Sequence, residues 1–201
     1  MSHSMLVDAD FRAMTAAFPG WLMTPGPDGW QAVRGQDTVL LYPWENEVLV
    51  VWSAGVSHSV ITEVVSRGRS LTGAPVIVGT AIVRGGALLA QQRAYPASLA
   101  GLWELPGGRV ESGESDVDAV RRECSEELGV SVRVGSLVGP DVALPGDKLL
   151  RIYSAVLDPL SQEPHPHDHQ ALRWLTAGEL DSVEWLPADQ ELLPSLRALL
   201  R

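Results

Sequence analysis

The sequence predicts two modules in series: a small α+β unit over residues 1–71, then a mixed α/β sandwich over residues 72–201. Three observations carry this division. Apolar runs of strand length lie on both sides of one central amphipathic helix, with a further helix at the end, which is the order of a sandwich of helices on a mixed sheet. The central helix has marked ends, a capping serine at Ser115 and a stop at Gly129. The pattern also changes across Ser70 to Pro75 (SLTGAP), whose composition suits a linker.

In the first module, Phe11, Met14 and Phe18 recur at helical spacing and Pro19-Gly20 ends the segment, so a short helix is expected from Ala9 to Phe18. Trp30 to Val33, Thr38 to Tyr42 and Glu47 to Trp52 alternate with turn-rich tetrapeptides and predict an antiparallel meander. Ser59 to Arg67 carries Val60, Ile61, Val64 and Val65 at positions that suit a second helix. Four of the seven tryptophans, Trp21, Trp30, Trp44 and Trp52, fall in this module, where packing a small core or an interface is expected over a ligand-binding aromatic surface. His3 and His58 lack metal-ligand spacing.

In the second module, Val76 to Val83 and Ala87 to Gln91 flank Gly85-Gly86 and predict a buried strand pair closed by Arg93. Tyr95 to Trp103 reads as a loop. After the central helix, Val132 to Val138, Lys148 to Leu157 and Ala171 to Leu175 are strand candidates. Thr176 with Glu179 forms a capping-box pattern for a short helix, and Gln190 to Leu200 predicts a terminal helix interrupted at Pro194. The stretch SQEPHPHDHQ reads as a polar loop; its His165, His167 and His169 suit exposure better than a zinc site.

Fifteen basic against 25 acidic residues give a net charge of −10, which argues against an extended phosphate backbone as partner. A small phosphorylated molecule remains compatible, because a divalent cation can bridge it to carboxylates. A single cysteine forms no intrachain disulfide and fits a reducing compartment. The opening MSHSMLVDAD lacks a signal-peptide pattern, and no run approaches the roughly 20 apolar residues of a membrane span. A cytoplasmic location is therefore expected. The sequence sets neither an oligomeric state nor a role for the first module.

The residues that carry chemistry run from Leu105 to Val130, LPGGRVESGESDVDAVRRECSEELGV. On its helix Val117, Val120, Cys124 and Leu128 share one face, and Glu123, Glu126 and Glu127 crowd the adjoining one. Like charges three or four apart cost an isolated helix about 0.2–0.5 kcal/mol per pair, so the cluster invites a counter-charge. Either Arg121 and Arg122 supply it on a solvated face, or a hard cation such as Mg²⁺, Mn²⁺ or Ca²⁺ does.

The spacing Gly108, Glu114, then Arg122-Glu123-Cys124-Ser125-Glu126-Glu127-Leu128-Gly129-Val130 resembles the complete Nudix signature, G-x5-E-x7-R-E-U-x-E-E-x-G-U. Cys124 stands where that family usually has an aliphatic residue, and a buried thiol serves as a small hydrophobe. Gly101-Leu102-Trp103-Glu104-Leu105-Pro106-Gly107-Gly108 resembles the corresponding loop of the MutT and CTP pyrophosphohydrolase branch. The resemblance covers about Val76 to Leu200. It implies an α/β/α Nudix sandwich and Mg²⁺-dependent cleavage, with Mn²⁺ as a substitute, of a nucleoside triphosphate to monophosphate and pyrophosphate. By the same resemblance Gly107, Glu123, Glu126, Glu127 and Asp168 hold metal, Glu123 also acts as general base, Arg122 orients the glutamates, and Glu114 supports them. Arg93 meets the substrate phosphates, and Asp189, in Trp185-Leu186-Pro187-Ala188-Asp189, meets the base edge or else caps the last helix.

An ionised Asp189 accepts and suits the amino group of cytosine, so a preference for (d)CTP or a modified dCTP is expected. Sanitising of 8-oxo-dGTP is a second enzymatic reading, and a nucleotide-sensing module is a non-catalytic one. Every signature carboxylate is present, which disfavours the sensor.

Overall fold

The computed structural model describes residues 2–16, 20–45 and 47–201. It contains two compact units, Met1–Pro75 with Pro140–Leu149, and Val76–Gly139 with Leu150–Arg201.

The first unit runs β1 (Ser2–Val7), α1 (Phe11–Met14), β2 (Leu22–Pro25), β3 (Trp30–Arg34), β4 (Asp37–Trp44), β5 (Glu47–Ser53) and α2 (His58–Leu71). The expected meander β3-β4-β5 is present and antiparallel. Two strands absent from the sequence reading extend it: β1 pairs with β5, placing Leu6 opposite Leu49, and β2 pairs with β3, placing Met23 opposite Ala32. Both are short sequences with little period-two contrast, and pairing to a formed neighbour supplies what local pattern does not. One row of the sheet, Val7, Met23, Ala32, Val39, Leu41, Val48 and Val50, is buried. α1 is shorter than expected, with Asp10 capping it by accepting from Ala13 N–H at 3.0 Å; the expectation for Phe18 and Pro19 lies outside the described residues. α2 starts at its Ser57 cap and continues to Leu71, so Ser70 and Leu71 are helix and not linker. Gly68 lets the two helices touch, because a Cβ there would lie 1.8 Å from Met14 Sδ. Trp21 is buried beneath the Arg34 guanidinium, whereas Trp44 is 53% exposed.

Residues 140–149 belong to this first unit. Asp141 accepts from Arg12 Nη2 at 2.5 Å, Asp147 from Arg67 Nη1 at 2.8 Å, and Leu149 N–H donates to the Pro75 carbonyl at 3.1 Å.

In the remaining chain β6 (Val76–Arg84) and β7 (Ala87–Arg93) form the expected hairpin. Gly85 and Gly86 take φ of 59° and 77°, the left-handed pair that a two-residue turn between twisted strands requires. There follow β8 (Trp103–Glu104), β9 (Gly107–Arg109), α3 (Asp116–Leu128) and β10 (Val132–Leu137), then β11 (Val142–Leu144), which lies in the 140–149 segment of the first unit, and β12 (Lys148–Leu157), β13 (His169–Thr176) and α4 (Pro187–Leu199). The sheet order is β10-β12-β6-β7-β13, with β8 added to β7 and β9 to β6. Val78 and Ile82 on β6, Leu89 on β7 and Ala155 on β12 form one core with Ala119, Val120, Cys124 and Leu128 of α3. Strand alternation sends Ala81, Leu88, Ala90 and Ile152 to the opposite face, where they are also buried. Burial on both faces is the α/β sandwich that the element order implied.

Three local expectations need correction. α4 begins at Pro187, whose missing N–H is harmless at the first helical position, and it continues through Pro194 instead of being interrupted there. The segment after Thr176 forms only a 3-10 turn, Leu180–Ser182, although Glu179 does accept from Thr176 N–H at 3.0 Å. His169 and Gln170 are strand residues, since β13 pairs His169 with Arg93. Among the described residues no helix is long and apolar enough to cross a membrane.

A chain beginning at Thr72 would retain residues 140–149 but lose Arg12 and Arg67, and with Arg12 one ion pair to the buried carboxylate of Asp141. We expect its thermal midpoint to fall, at roughly 2–4 °C per kcal/mol for a chain of this length, and its solubility to drop. Scanning calorimetry and size-exclusion chromatography would read this, and an unchanged midpoint with a monodisperse peak would refute it.

Candidate active site

Helix α3 is placed by its ends. Ser115 Oγ accepts from Asp118 N–H at 3.1 Å, Asp116 and Asp118 put negative charge in the first turn, and Gly129 takes φ 67° to end the helix. Its apolar side packs on the sheet, with Cys124 fully buried and its thiol pushed up to about 12 by that burial. The thiol is therefore inert packing, as the signature position demands.

The Pro106-Gly107-Gly108 turn lies against this helix with no room for side chains. A Cβ on Gly107 would lie 2.0 Å from the Val78 carbonyl oxygen, and one on Gly108 would lie 2.2 Å from Glu123 Oε1. The absence of both lets β9 pair with β6, Gly107 opposite Gly79, while the helix carboxylates reach the backbone.

Arg122 gathers the acidic residues. Its Nε and Nη2 donate to the two oxygens of Glu114, each at 3.0 Å. Nη1 donates to Glu123 Oε1 at 2.8 Å and Glu126 Oε2 at 3.2 Å, and Nη2 also donates to the Arg109 carbonyl at 2.9 Å. Hydrogen bonding to Arg122 lowers the Glu114 pKa, and the bond to Glu114 in turn raises that of Arg122. Arg121 turns away to Asp118.

Glu127 is held differently. Gln91 Nε2 donates to its Oε2 at 3.0 Å and Gly107 N–H donates to the same oxygen at 2.9 Å, while burial raises its pKa against those bonds. A second cluster adjoins the start of the turn. Arg93 Nη1 donates to Glu104 Oε2 at 2.5 Å and His169 Nε2 to Glu104 Oε1 at 2.9 Å. Asp189, in the first turn of α4 and 5% exposed, accepts from Leu105 N–H at 3.1 Å, and burial pushes it up to about 7.

The structure thus brings Glu114, Arg122, Glu123 and Glu126 into one network, sets Glu127 against Gly107, and links Asp189 to the residue after Glu104. Arg93 is already engaged by Glu104, and Asp168 is exposed just before β13. Three polar residues to which the sequence reading gave no site role take part: Gln91, Glu104 and His169, the last expected in an exposed loop but with its side chain only 9% exposed against Glu104. Gln91 was legible as a polar residue closing an apolar strand. Glu104 and His169 are brought together only by the pairing of β8 and β13 with β7.

A divalent cation fits this donor set in chemistry. Four carboxylates and a backbone carbonyl are hard oxygen donors, and Glu127 is a carboxylate buried at energetic cost, which a cation would offset. Among the described residues no group of three His, Cys, Asp or Glu side chains already stands in metal-holding geometry. Glu123 and Glu126 face Arg122 instead.

The sandwich, the glycine turn and the carboxylate helix define the class. A family model for the NUDIX domain matches residues 73–196, and the chain belongs to the Nudix family. It is a Nudix hydrolase. Over 124 residues it is 48% identical to the Mycobacterium tuberculosis protein named "Putative 8-oxo-dGTP diphosphatase 2", covering 60% of this chain and 86% of that protein. It is 34% identical over 123 residues to the CTP pyrophosphohydrolase of Escherichia coli, covering 61% of this chain and 91% of the other. The solution structure of the E. coli ORF135 protein superposes with a TM-score of 0.54 at 34% identity, over 63% of this chain and 90% of that one.

A carboxyl held near pH 7 in the folded state, against about 4 when exposed, keeps its proton through the range between those values. The folded state then binds more protons than the unfolded one, so stability falls as pH rises through that range. Asp189→Asn removes this loss while keeping an oxygen for Leu105 N–H. Its thermal midpoint is expected to exceed that of the parent by more at pH 8 than at pH 5, on the order of a few kcal/mol in stability. Parallel pH profiles would place the Asp189 carboxyl in the ordinary range.

Proposed function

We propose that the protein is a Mg²⁺-dependent nucleoside triphosphate pyrophosphohydrolase, with Mn²⁺ as a substitute, that releases monophosphate and pyrophosphate and prefers (d)CTP or a modified dCTP. The observation that carries the reading is the Arg122 network with Glu127 held at Gly107, a full set of signature carboxylates in contact with the glycine turn. Glu123, Glu126, Glu127, Asp168 and the Gly107 carbonyl are the proposed metal donors. When bound, the cation neutralises the polyphosphate and acidifies the attacking water. Glu123 takes the proton of that water. Arg122 holds its Oε1, which leaves Oε2 to accept it. Arg122 sets the directions of Glu123 and Glu126 and is itself fixed by Glu114. Arg93, positioned by Glu104, meets the phosphates through the part of its guanidinium that Glu104 does not use.

Glu123→Gln is expected to lower kcat by at least about 100-fold, the usual scale for losing a general base, without changing the circular dichroism spectrum. Turnover within threefold of the parent would remove Glu123 from that role.

Base preference rests on Asp189. As a carboxylate it accepts from the exocyclic amino group of cytosine, a pairing worth about 1–3 kcal/mol of discrimination. The 8-oxo-dGTP reading is supported by the burial of Asp189, which pushes its carboxyl up to about 7 and favours the protonated form, and that form can donate to a purine carbonyl. The two readings differ in which substrate responds to pH. If the carboxylate selects cytosine, kcat/KM for dCTP rises as pH increases through 7 and Asp189→Asn lowers it; if the protonated acid selects oxidised guanine, kcat/KM for 8-oxo-dGTP falls over the same range and Asp189→Asn, whose amide donates at every pH, preserves it. Values for both substrates that are indifferent to pH and to the substitution leave Asp189 as a link between α4 and Leu105.

A further inference from the structure

Gln91 is 1% exposed, on the row of β7 that faces α3, two residues from Leu89 of the core. Its amide nitrogen donates to Glu127, whereas its Oε1 is buried with no hydrogen-bond partner among the described residues. The carboxylate fixes the amide orientation, because turning Oε1 towards Glu127 would set two acceptors against each other. An unpaired buried carbonyl oxygen is unfavourable, and a methionine of the same length would fill the space without it. What the amide supplies, and methionine cannot, is the N–H to Glu127.

The geometry of Glu127 shows what that N–H does. Gln91 and Gly107 both donate to Oε2, leaving Oε1 as the oxygen without a donor among the described residues. We propose that Gln91 is a positioning residue that pins Glu127 by one oxygen and reserves the other for the divalent cation. The inference rests on the proposed role of Glu127 as a metal donor. Removal of such an outer partner of a ligand weakens metal affinity by about 10–100-fold.

The test uses the full chain and Mn²⁺ alone, with free Mn²⁺ read by electron paramagnetic resonance and thermal midpoints recorded with and without the metal. Gln91→Met is expected to raise the Mn²⁺ Kd by at least about tenfold and to shrink the Mn²⁺-induced rise in midpoint, while the metal-free midpoint holds or increases. Glu127→Gln should also weaken binding, and the double variant should bind no more weakly than Glu127→Gln alone. If Gln91→Met does not fold, Gln91→Asn withdraws the donor by one methylene and carries the same expectations. A Kd within twofold of the parent, with Glu127→Gln weakened, overturns the role of Gln91 and leaves Glu127 as a donor. Additive losses in the double variant, or a lower metal-free midpoint with an intact Mn²⁺ shift, assign Gln91 to packing. Unchanged binding in Glu127→Gln overturns the metal role of Glu127 itself, and with it the inference.

Discussion

Carboxylates on successive turns of one helix repel one another, and a single guanidinium makes the arrangement tolerable. Arg122 is one-quarter exposed and the glutamates it grips most closely, Glu114 and Glu123, are less exposed still. Its planar fork meets Glu114 with two parallel bonds and still has a nitrogen for Glu123 and Glu126. A lysine could match the charge but not the fork. Like-charge pairs at this spacing cost an isolated helix about 0.2–0.5 kcal/mol each, and one guanidinium bonded to three of the carboxylates offsets that repulsion. The bond to the Arg109 carbonyl ties the same group to β9, which couples the helix to the glycine turn.

That coupling explains why two adjacent glycines are needed. Gly107 serves the sheet, since any side chain would strike Val78, and Gly108 serves the helix, since any side chain would strike Glu123. The backbone of β9 is squeezed between a strand and a carboxylate, and this close approach accompanies the bond from Arg122 to the Arg109 carbonyl.

Much of this was legible from residue order. The ends of α3, the Gly85-Gly86 hairpin and the acidic face follow from local rules, because capping, left-handed turns and helical periodicity are decided within a few residues. β1 and β2 were not legible, because Ser2–Val7 and Leu22–Pro25 become strands through partners distant in sequence. Pro194 misled for a related reason: only one carbonyl loses its donor there, and the buried Leu192 and Leu196 keep the helix in place on either side. Within the site, Glu114, Arg122 and Glu123 stand as a group that spacing alone could anticipate. The contact of His169 with Glu104 depends on β13 and β8 flanking β7 from opposite sides, which no local pattern encodes.

The membership of residues 140–149 in the N-terminal unit has a consequence for the order in which the chain can fold. Arg12 and Arg67 emerge early in synthesis, but Asp141 and Asp147 follow only after the whole signature helix has been made. The N-terminal unit cannot be completed as a finished domain before the hydrolase sequence is more than half translated, and closing it spans a long loop that must be ordered at entropic cost. The carboxylates that Arg12 and Arg67 engage arrive late, so the segment that contributes nothing to the signature is the one that stays incomplete longest during synthesis and carries the burden of early association.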